Sequence, residues 1–213
     1  VGRIELSVRR ILRAKALLGL IQKRTVNIDQ VDAVVSSSKS LDAARLIAEK
    51  SITLVRDDAQ ILPLRTGVSS RILNITFAEN EQTFNIQPFV NELRKTAQVD
   101  SITLDSRSGD AQLRQALEKA DRGGFDAVVF STTVRALSGK GSIALQGIGL
   151  RAATELLKKK LPLVVISFGN PYLLTAMPSA KTYFACYSPF PVAQEAAARA
   201  LLGQIDISGK LPV

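Results

Sequence analysis

Short apolar runs alternate along this chain with longer segments in which apolar residues recur at helical spacing. The clearest run is Leu163-Val164-Val165-Ile166, which has the continuous β-branched character of a strand buried on both faces of a parallel sheet. Five further strands are predicted, and the segments between them read as helices. The predicted strands are 51–55, 71–77, 99–104, 126–130, 161–168 and 181–187, and the predicted helices are 41–50, 85–96, 108–120, 146–160, 172–177 and 192–202.

This alternation predicts an α/β fold, a three-layer α/β/α sandwich with a mainly parallel sheet of about six strands. The strand at 99–104 alternates polar and apolar residues, which favours a sheet edge or a less buried position. Right-handed crossovers would place the loops after Phe77, Phe130, Phe168 and Tyr187 on one common edge. Ligands usually bind at that edge in α/β proteins.

The loop after the clearest strand reads Gly169-Asn170-Pro171. Glycine permits backbone angles that other residues avoid, and a residue before proline is biased away from the helical region. Because proline is well tolerated in the first turn of a helix, the segment predicts a strand-to-helix elbow. Its position suggests ligand contacts, but no catalytic group accompanies it, so a structural elbow is the better interpretation.

A second candidate set, Thr132, Thr133 and Arg135, follows the strand at 126–130. An arginine beside hydroxyl groups at a strand end can bind an oxyanion or a sugar hydroxyl. The simpler alternative is an interface salt bridge. Together with Gly169 and Asn170, these three residues are the predicted substrate-rim or interface residues.

The first forty residues differ from the rest. An amphipathic helix is predicted from Ile4 to Leu20, and residues 21–40 lose periodicity and become serine-rich, as in a linker. The predicted domains are therefore 1–20, 21–40 and 41–213. The sequence starts at Val1 without Met, so we expect a fragment of a longer protein whose compartment, cytoplasmic or exported, stays open.

The chain of 213 residues carries a formal charge of +9, which raises the possibility of a nucleic-acid partner. The positive residues are dispersed apart from an arginine-rich first helix and the run Lys158-Lys159-Lys160, with few aromatics beside them to stack on bases. We therefore expect solvated faces and no nucleic acid. No apolar run approaches the roughly 20 residues of a membrane span.

The chain has no histidine and one cysteine, Cys186, in an apolar run. This composition excludes Ser-His and Cys-His catalysis and thiolate or imidazole metal sites within the chain, and we expect a buried structural cysteine. The segment 139–142 resembles the end of a phosphate-binding loop but fails the motif at two positions, and no GxGxxG follows a strand. No cofactor or metal is expected.

Carboxylate pairs that could act on a glycosidic bond are limited to Asp57 with Asp58 and Glu79 with Glu81 in predicted loops. Adjacent acids rarely face one substrate, and capping or solvated turn residues are the commoner case.

Four segments, taken in order, resemble glycoside hydrolase family 3. The first helix resembles the end of that family's catalytic barrel, and the other three resemble its second domain. The segments are Ser7–Leu20, Ala48–Leu64, Phe168–Tyr172 and Ala200–Pro212. The subset most resembled is the bacterial β-N-acetylglucosaminidase type, and Asp57 departs from the asparagine of many relatives.

The resemblance implies a flavodoxin- or Rossmann-like sandwich that packs beside a (β/α)8 barrel carrying an aspartate nucleophile and, in the N-acetylglucosaminidase type, a histidine-aspartate acid/base. Other members place a glutamate acid/base in the second domain, where Glu79 is the nearest candidate. The chain is thus expected to be a C-terminal domain that is inactive alone, has the barrel as its partner, and either buttresses that barrel or completes its active-site rim, with a carbohydrate at the domain interface in the second case. The alternative is a free-standing module that binds a carbohydrate or peptidoglycan fragment.

Overall fold

The computed structural model of the protein describes residues 1–35, 37–67, 69–79, 85–135 and 142–212. The chain divides into two compact units, Val1–Ala43 and Ala44–Val213. Within the described residues no helix combines the length and the apolar character that crossing a membrane requires.

The first unit contains helix α1 (Gly2–Leu17), a 3-10 turn (Ile28–Gln30) and helix α2 (Val31–Val35). Helix α3 (Ser38–Ser51) begins before the boundary between the units and continues beyond it. The segment expected to be a linker therefore includes the turn, α2 and the start of α3. The turn and α2 are too short to produce a helical period in the sequence. None of their residues is buried, so no apolar face marks them either.

The described part of the second unit contains a six-stranded sheet in the order β1-β6-β5-β4-β2-β3. Neighbouring strands run parallel except β1, which lies antiparallel to β6 at one edge. The predicted fold class is confirmed, and β3 occupies the other edge as its alternation predicted. The strands are β1 (Thr53–Asp57), β2 (Arg71–Phe77), β3 (Gln98–Leu104), β4 (Ala127–Thr132), β5 (Leu163–Ser167) and β6 (Thr182–Ala185).

Helices cover both faces of the sheet because successive strand residues point to opposite sides and both sides are apolar. On one face α4 (Gln87–Arg94) and α7 (Pro191–Leu201) pack on a core that includes Val129 and Ile166. On the other face lie α5 (Asp110–Asp121), α6 (Gly147–Leu157) and the 3-10 turn Pro171–Ala176. The predicted helices and strands match these elements to within a few residues.

Candidate functional site

The carboxyl ends of β2, β4, β5 and β6 lie on one edge of the sheet because these strands are mutually parallel. All five candidate residues lie at this edge, in or just after β4 and β5. The chain after β4 stays paired with the chain after β5, since the backbone N–H of Phe168 donates to the carbonyl oxygen of Thr132 at 2.8 Å. The carboxyl-edge loops of β4 and β5 are therefore joined by backbone hydrogen bonds.

Asn170 uses its polar groups within the protein. Its side-chain amide donates to the carbonyl oxygen of Ile143 at 2.8 Å, and its side-chain oxygen accepts from the backbone N–H of Tyr172 at 3.0 Å. Its own N–H donates to Val134 at 2.8 Å, and its carbonyl accepts from the hydroxyl of Ser167 at 2.6 Å. With only 6% of Asn170 exposed, the residue caps the following turn and ties two loops together.

Gly169 is required for a different reason from the one that the sequence suggested. Its φ angle lies outside the left-handed region that favours glycine. A Cβ atom at this position would instead stand 2.0 Å from the carbonyl oxygen of Val134. Glycine is thus needed because two backbones approach closely, and unusual torsion angles play no part in the requirement.

Thr132 and Thr133 do not form one convergent pair. Alternation along the strand places Thr132 on the face of Phe130 and Thr133 on the opposite face, with Ser131. Both side chains are buried, and neither hydroxyl has a hydrogen-bond partner within the described ranges. Arg135, which is half-buried, follows two positions later.

A buried polar network lies on the Thr133 face of β2, β3 and β4, and sequence reasoning missed it. The side-chain amide of Asn74 donates to Thr76 at 2.9 Å and to Ser101 at 3.1 Å. The Ser131 hydroxyl lies 2.8 Å from that of Thr76 and donates to the amide oxygen of Asn74 at 3.1 Å. The sequence signal that could have predicted this network is the pair Asn74 and Thr76, which lie two positions apart in an otherwise apolar strand and therefore share one face.

Gln194 in α7 was also missed, because polar residues in an alanine-rich helix usually face solvent. It is 1% exposed and connects three segments beside the carboxyl edge. Its amide nitrogen donates to the carbonyl oxygens of Asn85 at 2.9 Å and Pro189 at 2.6 Å, and its oxygen accepts from the N–H of Phe89 at 3.3 Å. The loop that follows β6 is therefore anchored to the start of α4.

The carboxylate candidates separate in space. Asp57 and Asp58 come at the end of the antiparallel strand β1, and so lie at the edge opposite the candidate residues. Asp57 accepts from the hydroxyl of Thr182 at 2.9 Å, and Asp58 lies 3.8 Å from Arg56. Glu79 follows β2 at the carboxyl edge, whereas Glu81 and residues 139–141 lie outside the described residues.

Asp105, which follows β3, is a carboxylate held by several hydrogen bonds. The guanidinium of Arg107 contacts its Oδ2 atom at 2.6 Å and 2.9 Å, and the Ser108 hydroxyl donates to Oδ1 at 3.2 Å. These hydrogen bonds hold the pKa of Asp105 below its usual value, although burial acts in the opposite direction.

Cys186 is fully buried at the end of β6, as predicted, and its burial raises the pKa of the thiol. No group of three potential metal-ligating side chains occurs among the residues that the structure describes.

The chain is similar to part of several known proteins, although no family model matches it. A β-N-acetylglucosaminidase/β-glucosidase of Cellulomonas fimi is 24% identical over 220 residues, which are 99% of this chain and 38% of that protein. The chain is related to the glycoside hydrolases of family 3.

Solved structures agree with this relationship. A β-glucoside phosphorylase superposes with a TM-score of 0.77 at 26% identity, over 100% of this chain and 38% of that one. A family 3 β-N-acetylglucosaminidase from Paenibacillus superposes at 0.73 and 22% identity, over 99% and 39%. The fold is that of the C-terminal α/β domain of family 3, and the chain spans about two fifths of the length of these relatives, which carry a larger N-terminal part.

Proposed function

We propose that this chain is the C-terminal α/β domain of a family 3 glycoside hydrolase of the β-N-acetylglucosaminidase/β-glucosidase kind. The domain packs on a (β/α)8 barrel that performs the chemistry, and it is inactive alone. The observation that carries this proposal is the match of 99% of the chain to only 38% of the Cellulomonas fimi enzyme. The rest of that enzyme is long enough to hold a catalytic barrel.

The exposed apolar stripe of α1 supports the proposal that another domain covers this helix. Ile4, Val8, Ile11 and Leu12 follow the i, i+4, i+7, i+8 pattern of one helix face, yet they are 71%, 48%, 56% and 58% exposed. Such a stripe indicates a surface that another structure covers. We propose that residues 1–20 are the last helix of the barrel, that 21–40 link it to the domain, and that 41–213 form the domain.

The bonding at the carboxyl edge supports a structural role for the elbow. The side-chain groups of Asn170 and Gln194 contact backbone groups of the domain itself, so they hold loops in place. Arg135 is a charged residue that is half-buried beside the elbow, where a Cβ atom on Gly169 would stand 3.4 Å from its Cγ atom. We propose that Arg135, with Thr132, Thr133, Gly169 and Asn170 behind it, belongs to the rim or to the barrel interface.

Hydrolysis of an aryl N-acetylglucosaminide tests the proposal. The 213-residue chain should show no turnover above background, whereas a polypeptide that also contains the preceding barrel should be active. In that longer polypeptide Arg135→Ala should raise KM or weaken barrel packing, while Arg122→Ala, at the end of α5 on the opposite sheet edge, should not. Turnover by the chain alone at the rate of the longer polypeptide would disprove the inactive-domain proposal.

A free-standing carbohydrate-binding module is the second candidate. It is favoured by Tyr172, whose aromatic side chain is 45% exposed at the carboxyl edge beside Asn170. Calorimetry with chitooligosaccharides separates the candidates. A rim without its barrel should give no saturable heat, whereas a complete module should give a saturable isotherm with the chain alone.

A further inference from the structure

A cleft at the amino-terminal edge of the sheet, opposite the candidate site, has four lysines around it. The lysine cleft lies between the end of α6 and the segment before β6 and has a volume of about 490 Å³. Leu157, Leu163 and Val165 give it an apolar floor, and no carboxylate is among its lining residues. The lysines are Lys158, Lys159, Lys160 and Lys181. We propose that this cleft binds an organic phosphate, a dianion that carries an apolar group.

Charge within the lysine cleft is only partly neutralised. Lys158 contacts Glu155 at 2.7 Å and Lys159 contacts Asp121 at 2.6 Å. Lys160 and Lys181 have no ion pair with any residue that the structure describes. Two like charges carried by lining residues of one cleft repel each other, and a dianion bound there would attract both.

The wall formed by residues 178–181 is held in place by other parts of the fold. The guanidinium of Arg56 donates to the carbonyl oxygens of Pro178 at 2.6 Å and Ala180 at 2.9 Å. The backbone N–H of Asp58 donates to the carbonyl oxygen of Lys181 at 2.7 Å. Because this wall is already ordered, a ligand that binds in the cleft pays little entropic cost for ordering it.

The opposite wall, formed by residues 158–161, is fixed at both ends. The ion pair between Lys159 and Asp121 ties its start to the end of α5. The N–H of Val128 donates to the carbonyl oxygen of Pro162 at 2.9 Å, which ties its end to β4. The cleft is thus formed before any ligand arrives, as most small-molecule sites are.

Lysines at the end of a helix also interact with the helix dipole, and this provides a competing explanation. It accounts for Lys158, Lys159 and Lys160, which follow the last turn of α6. It does not account for Lys181, which precedes β6 and enters the same cleft from the other wall.

The shape and the lining of the cleft select the ligand. Its volume lies within the roughly 300–1,000 Å³ of ordinary small-molecule sites. Inorganic phosphate would satisfy the lysines and leave the apolar floor exposed to water, whereas an uncharged aromatic would leave the lysines unpaired. A phosphomonoester with an apolar body satisfies both requirements, because lysine binds phosphate as a point charge and the floor buries the body.

Titration of the 213-residue chain with phenyl phosphate, inorganic phosphate and benzyl alcohol tests the inference, with amide NMR shifts as the readout. Phenyl phosphate should bind saturably, at least about fivefold tighter than inorganic phosphate, and shift resonances of residues 158–163 and 179–181. The double variant Lys160→Gln/Lys181→Gln should bind phenyl phosphate about tenfold more weakly.

The matched control is Lys50→Gln/Lys210→Gln, which removes the same charge near the opposite edge of the sheet, where Gly209 contacts the carbonyl oxygen of Ile52. It should retain the affinity of the unaltered chain. Equal affinity in both double variants, equal binding of the two phosphates, or no saturation would each overturn the inference. None of these outcomes bears on the glycosidase proposal, since the cleft lies at the other edge.

Discussion

The side-chain amide of Asn170 donates to the carbonyl oxygen of Ile143 at 2.8 Å, so a residue that follows β5 holds the segment that precedes α6. The same side chain accepts from the N–H of Tyr172 at the start of the next turn. Asn170 thereby fixes two of the loops at the carboxyl edge of the sheet.

Replacement of Asn170 by alanine should lower the free energy of unfolding by about 2 kcal/mol, because the cap is lost and a buried carbonyl loses its partner. Asn170→Asp keeps the cap acceptor but faces Ile143 with a carboxylate, so it should not restore stability. Denaturant unfolding of the three proteins checks both expectations. If Asn170→Ala abolished turnover in a barrel-containing polypeptide without loosening the fold, Asn170 would be functional and the structural interpretation would be wrong.

Gly169→Ala should destabilise the fold by about 3 kcal/mol or more, since its Cβ would stand 2.0 Å from a backbone oxygen that cannot rotate away. Gly67→Ala is the control, because a Cβ there meets no atom within 4 Å. Thermal and urea unfolding should separate the two variants clearly. Similar stabilities would show that the backbone after β4 can move aside.

The sheet was predictable from sequence because its central strands are apolar on both faces, and Arg71–Phe77 was predicted with the bounds that the structure has. The edge strand β1 was shifted by two residues. Residues Leu54 to Asp57 of β1 are only half-buried, and a register irregularity interrupts its pairing with β6. Local patterns fix a strand well where burial is complete or the register is uninterrupted, and less well where partial burial is combined with an irregular register.

The location of the candidate residues was predictable, but their interactions were not. Strand-end position followed from topology, which places Thr132 and Asn170 at one edge. The close approach of Gly169 to Val134 depends on how adjacent loops pack, and the Gln194 contacts join residues more than one hundred positions apart. Such contacts leave no periodic pattern in the sequence.

Two threonines on one face of the sheet provide a matched test of buried hydrogen bonding. Thr76→Val should cost about 1–3 kcal/mol, because it removes one buried hydrogen bond from Asn74 and one from Ser131, which then keep only the contacts to each other and to Ser101. Thr133→Val should be nearly neutral, since its hydroxyl has no partner within the described ranges. Urea unfolding measures both variants. A comparable loss for Thr133→Val would indicate an internal water or ligand bound to that hydroxyl.

Asp105 should make stability depend on pH in the acid range. Because the Arg107 contacts lower its pKa in the folded chain below the value of 3.8 expected without them, the carboxylate stabilises the fold at neutral pH. This contribution is complete above the unfolded pKa and is lost as the pH falls through the folded pKa. The stability difference between the unaltered chain and Asp105→Asn should therefore be constant from about pH 7 to about pH 5 and shrink towards about pH 3.

Urea unfolding across this pH range measures the stability difference. The control is Asp206→Asn, which removes an exposed carboxylate near the C-terminus and so reports the effect of lost net charge alone. A difference that stayed constant down to about pH 3 would show that the ionised form of Asp105 is not what Arg107 stabilises.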